Sequence, residues 1–203
     1  MTEVQSANQS YYEAEAHLGI RKPLVNQRVE LRNVCIDLLT REGRHRVLDL
    51  GAGPGGDGRG FIDADIDFIG VDLAHANGVL AARNGITVVQ GSIAAPPLAQ
   101  RSFDAGWSMS TLMHVPDGEV VDTVAGMITP LQDGAPLMIG LWGGPLELLI
   151  GDSDIAGQQR YFHNRPLDAN REVFATCGSV ESATIWKTKA SGEYQVFLVR
   201  IAS

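Results

Sequence analysis

The stretch 46–61, RVLDLGAGPGGDGRGF, has residue types and spacing suited to ligand binding. An acid, Asp49, precedes three glycines at alternate positions, Gly51, Gly53 and Gly55. Glycine lets the backbone turn tightly and approach a ligand closely. A glycine-rich turn directly after an apolar strand is typical of α/β proteins that hold a nucleotide or nucleoside at that turn.

The residues around the turn separate two phosphate-binding alternatives. A phosphate-binding P-loop needs a lysine and a hydroxyl after its last glycine, but Asp57 follows Gly56 here. A dinucleotide fingerprint fits the spacing, because Gly51, Gly53 and Gly56 form GxGxxG and Asp72 follows at the distance of a ribose-binding acid. This match rests on spacing alone.

The position of Asp49 favours a cationic ligand. Its carboxylate stands at the carboxyl end of the strand, close to the expected path of a dinucleotide pyrophosphate, where negative charge is unfavourable. The same carboxylate attracts an ammonium or sulfonium group in a partly desolvated cleft. S-adenosylmethionine carries both cations.

The segment DLGAGPG resembles the DxGxGxG loop of class I S-adenosylmethionine-dependent methyltransferases, and the resemblance extends motif by motif over about 44–142. It implies a Rossmann-like, doubly wound α/β sheet of about seven strands, mostly parallel with an antiparallel last strand, and helices on both faces. It also implies methyl transfer from S-adenosylmethionine to an oxygen or nitrogen of a small molecule by in-line displacement, with S-adenosylhomocysteine as product.

The same resemblance implies a set of donor-binding residues. Asp72, after the second strand, matches the acid that holds both ribose hydroxyls, and Leu73 matches the adenine face. The family commonly has Gly-Asp after the third strand, whereas this chain has Gly91-Ser92-Ile93, so Ser92 offers adenine a weaker acceptor. The implied cofactor-binding residues are Asp49, Gly51, Ala52, Gly53, Gly55, Asp72, Leu73, Gly91, Ser92, Ile93, Ser108 and Met109, with Ser108 beside the methionine moiety.

Two of the five histidines are candidates for a catalytic base. His114 follows Met109 by five residues, where the acceptor should approach, and His163 lies in a segment that covers the acceptor pocket in similar enzymes. Both also fit purely structural roles in packing or capping. The candidate substrate-binding residues are Tyr11, Tyr12, His114, Trp142, Arg160, Tyr161 and His163, several of which have packing as the alternative interpretation.

Charge and composition restrict the partners. The formal net charge of -8 opposes a broad nucleic-acid-binding surface, and no apolar run approaches the length of a membrane helix. No histidine or acid pattern indicates a metal site, so none is expected. We expect a cytoplasmic protein, monomer or homodimer, acting on a small molecule without nucleic acid or membrane.

The elements that must position these residues follow from apolar runs. Five runs predict parallel strands, and two later runs separated by a polar turn around Ser191-Gly192 predict an antiparallel hairpin. Helical spacing predicts a helix over 24–40 that Gly43 ends, and further helical segments over 74–84 and 116–131. The strand candidates are 46–51, 67–73, 86–92, 102–109, 135–142, 179–187 and 193–202.

We predict one domain over 1–203. Within it, 1–43 forms a helical lid in which Tyr11 and Tyr12 lie over the cofactor, 44–142 forms the cofactor-binding core, and 143–203 forms the acceptor-side segment and the terminal hairpin.

Three alternatives remain open. One is an NAD(P)-dependent Rossmann oxidoreductase, for which Asp49 and the terminal hairpin are unfavourable. Another is a methyltransferase acting on a peptide, a protein or tRNA, although Ser108-Met109-Ser110-Thr111 replaces the amino-methylation motif after the fourth strand. The third is a binding module without turnover.

Overall fold

The computed structural model describes residues 2–151, 155, 157–187 and 192–202. Its helices in these ranges are α1 Glu3–Leu18, α2 Asn26–Glu42, α3 Gly58–Ile62, α4 His75–Arg83, α5 Val120–Met127 and α6 Leu167–Ala175, with a short 3-10 turn at Leu112–His114. Its strands are β1 Arg46–Leu50, β2 Asp67–Asp72, β3 Val88–Gln90, β4 Ala105–Met109, β5 Pro136–Gly143, β6 Glu147–Gly151, β7 Arg160–Asn164, β8 Gly178–Lys187 and β9 Glu193–Ile201.

Seven strands form one sheet in the order β3-β2-β1-β4-β5-β9-β8. The first five in that order pair in parallel, whereas β9 pairs antiparallel with both β5 and β8. The predicted fold, a mostly parallel Rossmann-like sheet with an antiparallel last strand, is confirmed. The predicted hairpin is present as β8 and β9, and Ser191 of its turn lies outside the described residues.

The central strands β1, β4 and β5 are buried on both faces because they are almost continuously apolar. Successive residues of β1 show this, since Val47 belongs to one hydrophobic cluster and Leu48 to another on the opposite face. Trp107 and Phe197, both fully buried, lie in these two clusters respectively. Burial on both sides fixes the strand positions and therefore the turns at their carboxyl ends.

The two amino-terminal helices end at glycines. Residue Gly43 has a φ of 64° and caps α2, as the sequence predicts, and Gly19 with the same φ caps α1. Left-handed φ values of this kind cost least at glycine. The start of α1 has a capping box between Thr2 and Gln5.

A two-stranded sheet of β6 and β7, in the segment between β5 and α6, was not predicted. Its residues pair antiparallel, with His163 opposite Leu148. Within the part of the chain that the structure describes, no helix has the length and apolarity needed to cross a bilayer.

Candidate functional site

A cavity lies at the carboxyl edge of the sheet, where ligands of open α/β sheets bind. One face of α1 forms part of its wall, and the turns after β1, β2, β3 and β4 form most of the rest. The lining residues are Gln5, Asn8, Gln9, Tyr12, Arg21, Gly51, Gly53, Asp72, Leu73, Ala74, Asn77, Gly91, Ser92, Ile93, Ala94, Met109, Ser110, Thr111, His114, Val115 and Thr123.

The glycine turn presents bare backbone to this cavity. Gly51 and Gly53 have φ values of 85° and 56°, which L side chains rarely adopt. The amides of Gly51 and Ala52 both donate to the Val71 carbonyl, so β2 holds the turn in place. A Cβ on Gly51 would lie 2.1 Å from Thr111 Oγ1 and 2.7 Å from Thr111 Cβ. Rotation of the Thr111 side chain cannot relieve the second contact.

Replacing Gly51 by Ala should therefore destabilise the protein more than Gly43→Ala does. Gly43 shares the positive φ, but a Cβ there would have no neighbour within 4 Å. Gly43→Ala should cost about 1–2 kcal/mol for the φ alone, and Gly51→Ala about 1–3 kcal/mol more for the steric overlap. Urea unfolding of both variants measures the difference. Equal losses would contradict the close approach of Thr111.

Asp72 connects the first two turns. Its Oδ2 accepts the Gly53 amide at 2.7 Å, and its Oδ1 accepts the Ala74 amide at 2.9 Å and Asn77 Nδ2 at 3.1 Å. Burial raises the pKa of this carboxyl, and the three hydrogen bonds oppose the rise. A carboxylate has about four acceptor sites, so Asp72 can still accept from a ligand in the cavity.

Asp49 lies below the glycine turn and does not line the cavity. It is fully buried, and neither of its oxygens has a hydrogen-bond partner among the described residues. Burial and then the neighbouring Asp57 raise the pKa of Asp49 well above its usual range. An unpaired buried carboxylate is costly, so this group is suited to hold a proton in the free protein or to face a cation of a bound ligand.

The change Asp49→Asn should raise stability at neutral pH. The raised pKa means that the folded state holds a proton on Asp49 more tightly than the unfolded chain does. This proton therefore contributes to folding stability, and its contribution is complete at low pH. It is lost as pH rises from about 4, the unfolded pKa, towards the folded pKa. The variant lacks this loss and should gain at least about 1 kcal/mol over wild type between pH 4 and 7.

Thermal unfolding against pH measures this gain. Asp67→Asn, at the exposed start of β2, is the control and should follow the wild-type profile. Loss of stability in Asp49→Asn at pH 7 would show instead that a charged Asp49 has favourable partners.

A second buried acid, Asp57, ties α2 to the glycine turn. Its Oδ2 accepts Arg28 Nε at 2.8 Å, Arg28 Nη2, and Trp107 Nε1 at 3.1 Å. Arg32 Nη1 lies 3.9 Å from Oδ1. The sequence indicates that Arg28 and Arg32 share a helix face, but not that this face meets a buried acid.

Tyr12 and His114 meet at the cavity wall. His114 Nδ1 lies 2.7 Å from the Tyr161 carbonyl oxygen, and because a carbonyl only accepts, Nδ1 carries the proton. Nε2 then accepts from the Tyr12 hydroxyl at 2.7 Å. Burial lowers the pKa of His114 to about 4 and raises the pKa of Tyr12 to about 12. The pair is therefore neutral at physiological pH.

Two arginines missed by the sequence analysis support this wall. Arg165 is buried, forms an ion pair with Asp117 and donates to the carbonyls of Leu112 and Val115, which flank His114. Arg21 lies against Gly53 and pairs with Glu15 at 2.9 Å. The approach of Arg21 to Gly53 was not visible in the sequence, because it joins residues 32 positions apart.

Besides Asp49, three predicted donor-binding residues do not line the cavity. Ser108 is buried and its hydroxyl donates to the Leu50 carbonyl at 2.8 Å, so this side chain, predicted to lie beside the methionine moiety, does not line the cavity. The alternation of β4 turns Ser108 away from the cavity that Met109 lines. Ala52 and Gly55 pack under the turn, and a Cβ on Gly55 would meet Ile86 at 2.6 Å.

Some of the predicted substrate-binding residues line the cavity, and the others pack elsewhere. Tyr12 and His114 line the cavity, but Tyr11 is 1% exposed and packs under the Arg160 guanidinium. Trp142 packs edge-on against the Tyr194 ring, away from the cavity.

Strand β7 carries the other three predicted residues, and none of them lines the cavity. Tyr161 contributes its backbone to Asn8 and His114, while its hydroxyl donates to Gln159. His163 is buried, and no hydrogen bond to its Nε2 occurs among the described residues. Arg160 stacks over the ring of Phe162.

Comparisons with known proteins agree with this fold. Residues 47–134 match the family model described as a methyltransferase domain. An uncharacterized methyltransferase of Mycobacterium avium is 28% identical over 162 residues, and the match covers 74% of this chain and 64% of that protein.

Two solved structures share the fold. The 1,6-didemethyltoxoflavin-N1-methyltransferase of Burkholderia thailandensis, solved with S-adenosylhomocysteine, has a TM-score of 0.70 at 18% identity over 99% of this chain and 90% of that one. An S-adenosylmethionine-dependent methyltransferase of Methanosarcina mazei has a TM-score of 0.69 at 13% identity over 79% and 94%. Residues 47–134 of this chain are therefore similar to methyltransferase domains, and the whole chain has the fold that the glycine turn predicted.

Proposed function

We propose that this protein transfers a methyl group from S-adenosylmethionine to an oxygen or nitrogen atom of a small molecule. The observation that carries the proposal is the cavity in which the turn of Gly51 and Gly53, the Asp72 carboxylate and the Tyr12–His114 pair share one wall. The first two features suit an adenosine-bearing ligand, and the third suits removal of a proton beside it.

The residues present fit the proposed donor. Asp72 has acceptor capacity for ribose hydroxyls, and Leu73 and Ile93 offer apolar contacts for adenine. Arg21 supplies a cation next to Gly53 that suits the carboxylate of a methionine moiety. The unpaired carboxylate of Asp49 below the turn supplies the complementary charge for its ammonium group.

Methyl transfer requires little chemistry from the protein. When bound, S-adenosylmethionine supplies an electrophilic methyl group on a positively charged sulfur. The chain contributes alignment and exclusion of water, for which α1 is suited because Gln5, Asn8 and Gln9 line the cavity. We therefore keep 1–43 as a proposed lid, 44–142 as the donor-binding core and 143–203 as the acceptor side.

His114 with Tyr12 is the proposed route for the acceptor proton. Because Tyr12 donates to His114 Nε2, a lone pair of its oxygen remains to accept a proton from the acceptor while its own proton moves to Nε2. At a hydroxyl acceptor, a base with a pKa of about 4 suffices if the proton leaves as the methyl group arrives, since alkylation of the oxygen makes that proton strongly acidic. His163 is not part of this proposal.

Calorimetric titration with S-adenosylmethionine, S-adenosylhomocysteine and NAD(P)H tests the function. We expect micromolar binding of the first two, about -8 kcal/mol at 1 μM, followed by transfer of labelled methyl to members of a small-molecule library. Binding of the nicotinamide nucleotide alone would overturn the proposal. A peptide or tRNA as the preferred acceptor would overturn its small-molecule part, and a cytoplasmic monomer or homodimer remains our proposal for the native state.

Asp72→Ala should weaken S-adenosylhomocysteine binding about 10- to 100-fold, because hydrogen bonds to a charged acceptor are worth about 1.5–3 kcal/mol. The variant removes the proposed ribose contact and the bond to the Gly53 amide. Asn77→Ala removes only one of the three bonds that Asp72 accepts, so its loss should stay within about fivefold. Calorimetry of both variants makes the comparison. Unchanged affinity in Asp72→Ala would remove this residue from the site.

A further inference from the structure

Resting on the proposed methyl transfer, we infer that the acceptor carries no carboxylate, phosphate or ammonium group. The acceptor is a small uncharged molecule recognised by hydroxyl and amide hydrogen bonds. This property follows from the distribution of charge around the cavity, and four observations support it.

Formal charge on the cavity wall is confined to two residues. Among the described lining residues, Arg21 and Asp72 are the only arginine, lysine, aspartate or glutamate side chains. Asp72 holds Gly53, Ala74 and Asn77, and Arg21 lies over Gly53. Both therefore stand at the donor end of the cavity, where the proposed donor uses them.

The histidine on the wall adds no positive charge. Its Nδ1–H is held by the Tyr161 carbonyl and its Nε2 by the Tyr12 hydroxyl, so both nitrogens of His114 are satisfied in the neutral form. An acceptor that approaches this side meets a phenol and a neutral imidazole.

Charged side chains behind the wall contact other parts of the protein. Arg160 lies 4.5 Å from the Tyr11 ring centroid and 4.9 Å from that of Phe162. Glu13 accepts the amides of His75 and Ala76 at the start of α4.

Glu119 accepts from Gln5 Nε2, and Arg165 pairs with Asp117. None of these five charged side chains lines the cavity, so an ionic acceptor inside it would not face their charges directly.

The remaining polar groups suit an uncharged molecule. Gln9 of α1 and the hydroxyls of Ser110, Thr111 and Thr123 line the cavity, whereas both ends of the Asn8 amide are held by the Tyr161 backbone. Amides and hydroxyls both donate and accept, so they can recognise hydroxyls, carbonyls and ring nitrogens. A buried ion without an opposite charge is disfavoured far more strongly than a neutral group of the same size.

A fragment screen on the full chain saturated with S-adenosylhomocysteine tests the inference. The probes are hydroxy- and amino-aromatic fragments in three equal sets of matched size, one uncharged, one with a carboxylate or phosphate, and one with an ammonium group. Ligand-observed NMR identifies binders. Cavity binders are those lost in Tyr12→Trp and retained in Val34→Trp, which adds the same ring at an exposed position of α2.

The uncharged set should give at least about tenfold more cavity binders than either charged set. Equal rates, or no cavity binder at all, would overturn the inference. An excess of anions would also overturn it and assign the acceptor's charge to Arg160. If Tyr12→Trp loses S-adenosylhomocysteine, Ala94→Trp on the same cavity identifies the binders. Failure of the wild type to bind S-adenosylhomocysteine would instead overturn the proposed function itself.

Discussion

Tyr12→Phe should lower the rate of methyl transfer about 100-fold, the lower range for loss of a positioned acid–base group. The variant keeps the ring against His114 but removes the hydroxyl that lies 2.7 Å from Nε2. Affinity for S-adenosylhomocysteine should change less than about threefold, since the donor contacts proposed above do not include this hydroxyl. Single-turnover transfer of labelled methyl to the acceptor from the library screen measures the rate.

Tyr161→Phe is the matched control for this effect. The Tyr161 hydroxyl donates to Gln159, and only the backbone of this residue contacts His114. The control should therefore retain the wild-type rate. His114→Asn should reproduce the loss seen in Tyr12→Phe. A full rate in Tyr12→Phe would exclude the proton route and leave alignment as the main contribution of the chain.

Asp57→Ala should lower the free energy of unfolding by about 3–5 kcal/mol, because removal of one partner leaves the other charge of a buried pair uncompensated. The Asp57 side chain is 0% exposed, and the Arg28 and Arg32 side chains are 17% and 14% exposed. Trp107 Nε1 would lose its acceptor as well. Urea denaturation followed by tryptophan fluorescence measures the change.

An exposed ion pair provides the comparison. Asp63 lies 4.0 Å from Arg59 on α3, with both side chains more than half exposed. Pairs of this kind contribute little, so Asp63→Ala should change stability by no more than about 0.5 kcal/mol. Asp57→Asn, which keeps one acceptor oxygen for Trp107, should fall between the two. Similar losses in Asp57→Ala and Asp63→Ala would mean that the arginines find water once Asp57 is removed.

The strands were predictable because parallel strands buried on both faces must be apolar along their length. The runs around Leu48, Ile69 and Ile139 satisfy this condition, and β1, β2 and β5 form there. The end of α2 was predictable for a different reason, since Gly43 adopts the left-handed φ that a helix cap needs. Both signals are local in sequence.

The donor end of the cavity was predictable to the extent that backbone turns determine it. Gly51, Gly53 and Asp72 line the cavity as predicted, and the spacing of a strand and its turn contains this information. Spacing alone was not sufficient for Ser108. Neighbouring residues of a strand face opposite sides of the sheet, so Met109 lines the cavity and Ser108 points to the other face. Asp49 was predicted beside the donor cation, whereas it lies buried below the turn in the free protein.

The acceptor side was less predictable because distant residues build it. Tyr12 and His114 are 102 residues apart, and Asn8 and Tyr161 are 153 apart. The hairpin of β6 and β7 brings Tyr161 next to Asn8 and His114. The sequences of these two strands have no clear alternation of apolar and polar residues that would predict it. Arg165 had no assigned role in the sequence analysis, yet it is buried and supports the turn that carries His114.

Helix α1 is fastened on two sides of the cavity that it helps to enclose. Glu13 binds the first amides of α4, and Asn8 binds the backbone of Tyr161 on β7. The proposed lid role of α1 predicts that a bound nucleoside leaves more slowly while both attachments persist. The release of a spent donor would then depend on the lifetime of these few bonds.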